Sequence, residues 1–455
     1  MRSDRVGIRP RTLLTSPRGL SGVVTLVVFG IYSIGAGRAW GFDASVTVHR
    51  FIVTPSLLDP FRKEVVYNNH VLFSFVDHLV YSITGVSDER MLRVVPVLAA
   101  ALSVGVTVMA VARRLGTTAS LCAGAVVAAN PILVSTGRDA RGYSMLLLFC
   151  VLSTALLFEL RAAGPPRRTL EQTYVLALAA GIATHLYGLA MIPVHAAVVA
   201  QDRAAGRRWV LRWIAGAALG LLAYVAIAST MLGAHRGRHF RLRFPWWLAR
   251  DLLGGTPLTI GLLALPTIVG ITMLIRRAWA TRAAAAACAV VLVAWLLAPT
   301  DLYVRFFIWL VPAAAYLVAL GVRRFPWLAV LVAGFVIVEA LRFGPNLSRS
   351  DMPNRTAAAL AREVARSGGV PCAFGPLSAE AMEAYDANVE TVLPGPDPPA
   401  CDLLLAVYAP QGAGSVRLPA TWRELFRYRT VLPAISSGVA FYRHLPSSVA
   451  GGFRR

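Results

Sequence analysis

The chain has 455 residues, 56% of them hydrophobic and only 15% charged, and its mean hydropathy is +0.61. Those values exclude an ordinary soluble enzyme and indicate an integral membrane protein. The formal net charge of +22 does not indicate nucleic acid. Most of the excess is arginine beside apolar segments, where the positive-inside rule places it.

Arg2, Arg5, Arg9, Arg11 and Arg18 precede the first apolar stretch, so residues 1–19 read as a cytoplasmic segment. The spacing predicts about eleven spans, over 20–37, 92–112, 117–136, 142–160, 172–185, 186–201, 209–232, 256–275, 283–299, 302–321 and 325–343. The first reads as a retained helix, because no small-x-small cleavage site precedes Trp40. The stretch 172–201 is long for one span and short for two, and we divide it at His185-Leu186-Tyr187-Gly188. Arg113-Arg114, Arg161, Arg167-Arg168, Arg203 to Arg212, Arg276 to Arg282 and Arg323-Arg324 then all face the cytoplasm. The loop 38–91, the loop 234–255 and the tail from about 344 lie outside under the same parity. The expected architecture is an all-α polytopic membrane protein, N-terminus in and C-terminus out. Its transmembrane domain covers 20–343, and a small α/β extracytoplasmic domain covers 344–455.

The 38–91 loop is long and polar for so apolar a chain, which favours disorder or function. It reads as ordered, because VTVHRFIV and HVLFSFVDHLVYSI keep apolar residues at helical spacing. It holds Asp43 in GFDAS, Glu64 and the run Tyr67-Asn68-Asn69-His70. Other polar residues gather at the outer ends of spans: Arg93, Arg138, Asp139, Arg141, Tyr143, His185, Tyr187, Arg305 and Glu339. Mid-membrane charge is nearly absent, and His195 reads as packed or hydrogen-bonded within the bundle. Charged groups at membrane depth are usually paired or functional. This distribution fits a site at the outer interface better than an ion pathway.

The loop AHRGRHFRLRFPWWLARD breaks the positive-inside pattern with Arg236, Arg238, Arg241, Arg243 and Arg250. Its Trp246 and Trp247 suit the headgroup layer, so it reads as a surface anchor, or more sharply as a loop that also gates entry of a lipid donor and recruits an anionic acceptor. Cys372 and Cys401 fall in the outer tail, where an oxidising compartment permits a bridge. Sequence does not supply the separation that a bridge needs. No metal-ligand spacing occurs, so no metal is assigned, and dependence on a divalent ion stays open.

In order, the chain presents an acid after the first span, an Asn/His run opening the next helix, Arg141-x-Tyr143 after the third span, and DLYVRFFIWLVP near the end. Together these resemble the GT-C membrane glycosyltransferases over roughly residues 20–325. The likeness is to the bacterial branch that is similar to protein O-mannosyltransferases and aminoarabinose transferases (glycosyltransferase family 39-like). The resemblance implies a sugar donor carried on polyprenyl phosphate and an extracytoplasmic acceptor: protein, lipid or glycan. Mannose and arabinose-like sugars both fit, and the enzyme would be a hexosyl- or pentosyltransferase of the plasma membrane. Asp43 matches the family's first-loop acid and would act as general base. Arg141 and Arg305 would clamp the lipid phosphate, with Arg93 and Arg138 behind them. Asn69, His70, Tyr143 and His185 would contact substrate.

Two departures stand beside this match. Ala44 follows Asp43 where many relatives have a second acid, and Val71 stands where relatives often have proline. Glu64, Asp77 and Asp139 are the acids that remain to replace the missing one. Each residue also has a plainer reading. Asp43 would cap a helix, Asn68-Asn69-His70 would form a turn, the arginines would snorkel, and His185 would end a helix. The second functional class is a non-catalytic transporter or flippase of lipid-linked sugars, for which polar groups at the midplane and internal repeats would be expected.

Overall fold

The computed structural model describes residues 16–37, 42–62, 70–162, 167–200, 206–228, 242–297, 302–344, 354–374, 390–392, 401, 403–408, 422–429 and 438–444. Helix dominates. Six helices are long and apolar enough to cross a membrane: Met91–Leu115, Tyr143–Ala162, Pro257–Leu274, Ala278–Leu297, Val304–Arg324 and Pro326–Phe343. Shorter apolar helices are Pro17–Ser33, Val71–Thr84, Thr117–Ala129 and Leu186–Val199. Arg168–Thr184 and Gly206–Leu222 are helical as well. Among the described residues each predicted span thus overlaps helix, although several of the helices are shorter than a bilayer requires.

The labels used below are α1 (Pro17–Ser33), α2 (Phe42–Thr47), α3 (Asp59–Arg62), α4 (Val71–Thr84), α5 (Val94–Leu115), α6 (Thr117–Ala129) and α7 (Pro131–Thr136). They continue with α8 (Tyr143–Ala162), α9 (Arg168–Thr184), α10 (Met191–Val199), α11 (Gly206–Leu222), α12 (Phe244–Leu252), α13 (Pro257–Leu274), α14 (Ala278–Leu297), α15 (Val311–Arg324), α16 (Ala329–Phe343) and α17 (Asn354–Arg366).

Local chemistry explains the principal breaks. Ser16 caps α1 by accepting from the Gly19 amide at 3.0 Å, with Pro17 in the first turn, where its missing N–H costs nothing. Asn130 divides the predicted span 117–136. Its side chain accepts from the Ile132 amide at 3.0 Å and Pro131 opens α7. The Asn130 amide also donates to the carbonyls of Asp251 and Leu252 at 3.3 and 3.1 Å, tying this joint to the end of α12. Helices α13 and α15 cross with backbones almost touching. A Cβ at Gly270 would lie 2.0 Å from the Leu317 carbonyl oxygen, and one at Gly321 would lie 2.2 Å from that of Pro266. Small residues at such crossings give membrane helices their packing.

His195 is fully buried in α10. Its Nδ1 meets the Tyr174 hydroxyl at 2.9 Å and its Nε2 meets Thr154 at 3.1 Å. Trp213 Nε1 donates to Tyr174 at 3.0 Å, so one chain of hydrogen bonds joins α8, α9, α10 and α11. His195 is therefore packed and hydrogen-bonded within the bundle.

In the tail, α17 packs against a five-stranded mixed sheet. The strands are β1 (Pro371–Phe374), β2 (Glu390–Val392), β3 (Leu403–Tyr408), β4 (Trp422–Arg429) and β5 (Gly438–His444), in the order β2-β1-β3-β5-β4. Strand β1 runs parallel to β2 and β3, whereas β5 is antiparallel to β3 and β4. Cys372 and Cys401 are joined by a disulfide, with their Cα atoms 5.9 Å apart.

Candidate functional site

The site is assembled from interruptions in helices. Asp43 lies in the first turn of α2, whose residues Ala44, Ser45, Val46 and Thr47 are all fully buried. The chain continues directly into a π-helical turn, Val48–Ile52. Ala44, Val48 and Ile52 pack with Phe73 of α4, Leu92, Ala99, Ala140 and Met145, which fixes Asp43 against the main bundle. Arg141 follows α7 in a tight turn, its amide donating to the Asp139 carbonyl at 2.7 Å. Gly142 allows that turn to approach. A Cβ there would meet His70 Cβ at 2.8 Å and Thr184 Cγ2 at 2.9 Å. Arg305 stands on a 3-10 turn, Val304–Leu310, whose backbone is irregular within it at Phe307 (φ −104, ψ 21) before α15 begins.

These three segments meet on one oxygen. Arg141 Nη1 and Arg305 Nη2 both donate to Asp43 Oδ2, the latter at 2.7 Å. The Arg141 side chain is 1% exposed, against 18% for Arg305 and 26% for Asp43. Arg141 also donates from Nε and Nη2 to His70 Nε2, at 3.3 and 3.1 Å. A guanidinium has no acceptor, so these contacts assign the His70 proton to Nδ1 and leave Nε2 as the acceptor. Burial, and then the adjacent Arg141 cation, hold His70 well below its ordinary value, which keeps the ring neutral.

Aromatic rings surround the ion pairs. The guanidinium carbons of Arg141 and Arg305 lie 5.1 and 5.4 Å from the Tyr143 ring centroid, and Arg305 lies 4.7 Å from that of Tyr303. Tyr143 meets His70 edge-on at 4.7 Å, and His185 lies 5.0 Å from His70. His185 is held in an extended conformation at the break after α9, where its Nδ1 accepts from the Tyr187 amide at 3.2 Å.

Asp43, His70, Arg141, Tyr143, His185 and Arg305 therefore lie together. The other two arginines make contacts with other groups. Arg93 is buried and donates to the Ala36 carbonyl at 2.7 Å, beyond the end of α1. Arg138 is buried with its Nη2 3.4 Å from the Val134 carbonyl. Of the acids considered for the place taken by Ala44, Asp139 is near enough for its charge to act on Arg305. Asp77 is fully buried in α4, and neither of its carboxylate oxygens has a hydrogen-bond partner among the described residues. Glu64 and Asn69 lie outside the described residues, as do Arg236, Arg238 and Arg241 of the basic loop. In the described part of that loop, Trp246 is 62% exposed and Arg250 pairs with Asp251 at 2.7 Å. Sequence reasoning missed Tyr303 and Phe306 as members of the cluster. Their adjacency to Arg305 was the available signal.

No family model matches the sequence, and no curated protein matches it. Solved structures match it in fold. ArnT from Cupriavidus metallidurans in the apo state superposes with a TM-score of 0.60 at 13% identity, covering 92% of this chain and 97% of that chain. The same protein bound to undecaprenyl phosphate gives a TM-score of 0.55 at 14% identity, with the same coverage of each chain. The chain thus shares the fold of ArnT, in line with the fold that the sequence resemblance implied.

Proposed function

We propose that the protein is a glycosyltransferase that moves a sugar from a polyprenyl phosphate to an extracytoplasmic acceptor. The observation that carries this reading is the shared contact of Arg141 and Arg305 with Asp43 Oδ2. It places two permanent cations and one candidate base within a single hydrogen-bonding radius. The shared fold supports the reading, because one of the matching structures holds undecaprenyl phosphate.

The chemistry divides among the residues as follows. The acceptor hydroxyl passes its proton to Asp43 as its oxygen bonds to the anomeric carbon of the donor. The bond from that carbon to the phosphate oxygen breaks, and polyprenyl phosphate leaves with added negative charge. Arg141 and Arg305 receive that charge, since guanidinium groups stay ionised and match phosphate in geometry. His70, neutral and donated to by Arg141, fixes the guanidinium plane. The arginine bias of the alternate loops and the Cys372–Cys401 bridge support placing the site and residues 344–455 on the extracytoplasmic face of the plasma membrane.

The test is purified protein, radiolabelled undecaprenyl-phosphate sugars and a membrane extract as acceptor source. Transfer that depends on Asp43 and on both arginines is the expected result. Flux of lipid-linked sugar across a vesicle membrane without any transfer would replace this reading with a transporter.

A further inference from the structure

Beside the arginines stands a group of rings that the chemistry above leaves unused. Phe306 is at its centre. Four ring centroids lie within 6.2 Å of its own: Tyr187 at 5.1 Å, His185 and Tyr303 at 5.5 Å, and Tyr143 at 6.2 Å. The planes of Tyr143 and Tyr187 are each inclined at 29° to that of Phe306, so each stacks against it. His185, Tyr187, Tyr303 and Phe306 are only partly buried, whereas Phe307 in the next position is wholly buried. Their partial exposure leaves ring surface that a ligand can contact. The Tyr143 hydroxyl is buried and has no hydrogen-bond partner among the described residues.

Resting on the polyprenyl-phosphate reading, we propose that Phe306, Tyr187 and Tyr303, with Tyr143 and His185, form the glycosyl subsite of the donor. The sugar is joined to the phosphate through one oxygen, so it must lie within about one ring diameter of whatever holds that phosphate. Arg305 is 4.7 Å from Tyr303 and 5.4 Å from Tyr143, which is that reach. A sugar ring presents C–H bonds on its faces and hydroxyls at its edge. Its C–H faces suit the negative face of an aromatic ring, and tyrosine hydroxyls suit its edge. Few polar groups among many aromatic ones is also the usual lining of a small-molecule site. Phe306 and Tyr187 are positioning residues here, acting on the sugar and taking no part in proton transfer.

The experiment compares binding of bare undecaprenyl phosphate with binding of undecaprenyl phosphate carrying mannose or 4-aminoarabinose. It uses wild type, Phe306→Leu, Tyr187→Leu and Phe306→Tyr. The wild type should bind a glycosylated lipid more tightly than the bare one. Each leucine variant should lose about tenfold in affinity for the glycosylated lipid while binding the bare lipid unchanged. Phe306→Tyr keeps the ring and should retain the affinity. Equal losses for both lipids would overturn the proposal by showing that the rings hold the lipid tail or the fold. Unchanged affinities, or a wild type with no preference for a glycosylated lipid, would overturn it as well. A wild type that binds neither form would overturn the polyprenyl-phosphate reading itself.

Discussion

Arg305 reaches Asp43 across 262 residues of chain and shares its Oδ2 with Arg141. Both cations contact one oxygen, so on the proposed reading Asp43 stays engaged by the arginines until something else binds them. A lipid phosphate is a suitable competitor, and its arrival would release Asp43 for the acceptor.

Asp43→Asn should therefore separate binding from chemistry. Transfer is expected to fall by about a hundredfold to ten-thousandfold, the range for loss of a general base. Affinity for bare undecaprenyl phosphate should rise, because the competing anion has gone. Turnover at the wild-type rate in this variant would remove Asp43 from the mechanism.

Arg305→Gln should weaken undecaprenyl phosphate binding by about 2–5 kcal/mol, the usual loss when a close charge pair is truncated. Arg305→Lys should recover only part of it, since an ammonium cannot supply the planar fork. Binding isotherms on both variants would check this. Full recovery by lysine would mean that only net charge matters at this position.

Acid should destabilise the protein partly through His70. Its folded-state value lies well below the ordinary one, so beneath about pH 6.5 the unfolded chain takes up a proton that the folded chain does not. Stability is then present above that pH and is lost as pH falls. Melting temperatures at pH 7.5, 6.5 and 5.5 should decline less steeply for His70→Gln than for wild type. Parallel slopes would contradict the assignment.

Asp77 gives the opposite sign. Burial pushes its carboxyl well above the ordinary value, so the folded state retains a proton that the unfolded chain releases from about pH 4 upward. Stability is full in acid and lost as pH rises through that window. Asp77→Asn should stabilise the neutral-pH protein by about 1–2 kcal/mol and have a smaller effect near pH 4. If transfer collapses in a stable Asp77→Asn protein, Asp77 belongs to the chemistry after all.

The helices were legible because apolar runs and flanking arginines carry strong signals. Arg141 and Arg305 stood out for a related reason, as charge at membrane depth is costly and therefore conspicuous, and Asp43 stood out as an acid in a long polar loop beside the membrane. The joint at Asn130 was less legible, since Asn-Pro also occurs between spans that continue. Arg93 illustrates another limit. Its position beside the outer boundary resembled that of Arg141, but its direction depends on the Ala36 carbonyl, which lies 57 residues away. Phe306 was hidden for the opposite reason: an aromatic residue inside an apolar run looks like any other core residue. It is the break after α9 that brings His185 and Tyr187 against it. The strand order of the tail depends on pairings distant in sequence, which composition does not encode.

The Cys372–Cys401 bridge closes a loop of 29 residues and joins β1 to the residue just ahead of β3. A thiol pair in the cytosol generally stays reduced, so on the proposed extracytoplasmic placement of the tail this bond would form once both cysteines had been exported. It therefore acts as a timestamp of biogenesis. In pulse-labelled cells, the fraction of new chains with oxidised mobility on a non-reducing gel should report completed translocation of the tail. A chain that inserts with its last helix reversed would stay reduced, however well the rest of the bundle had formed.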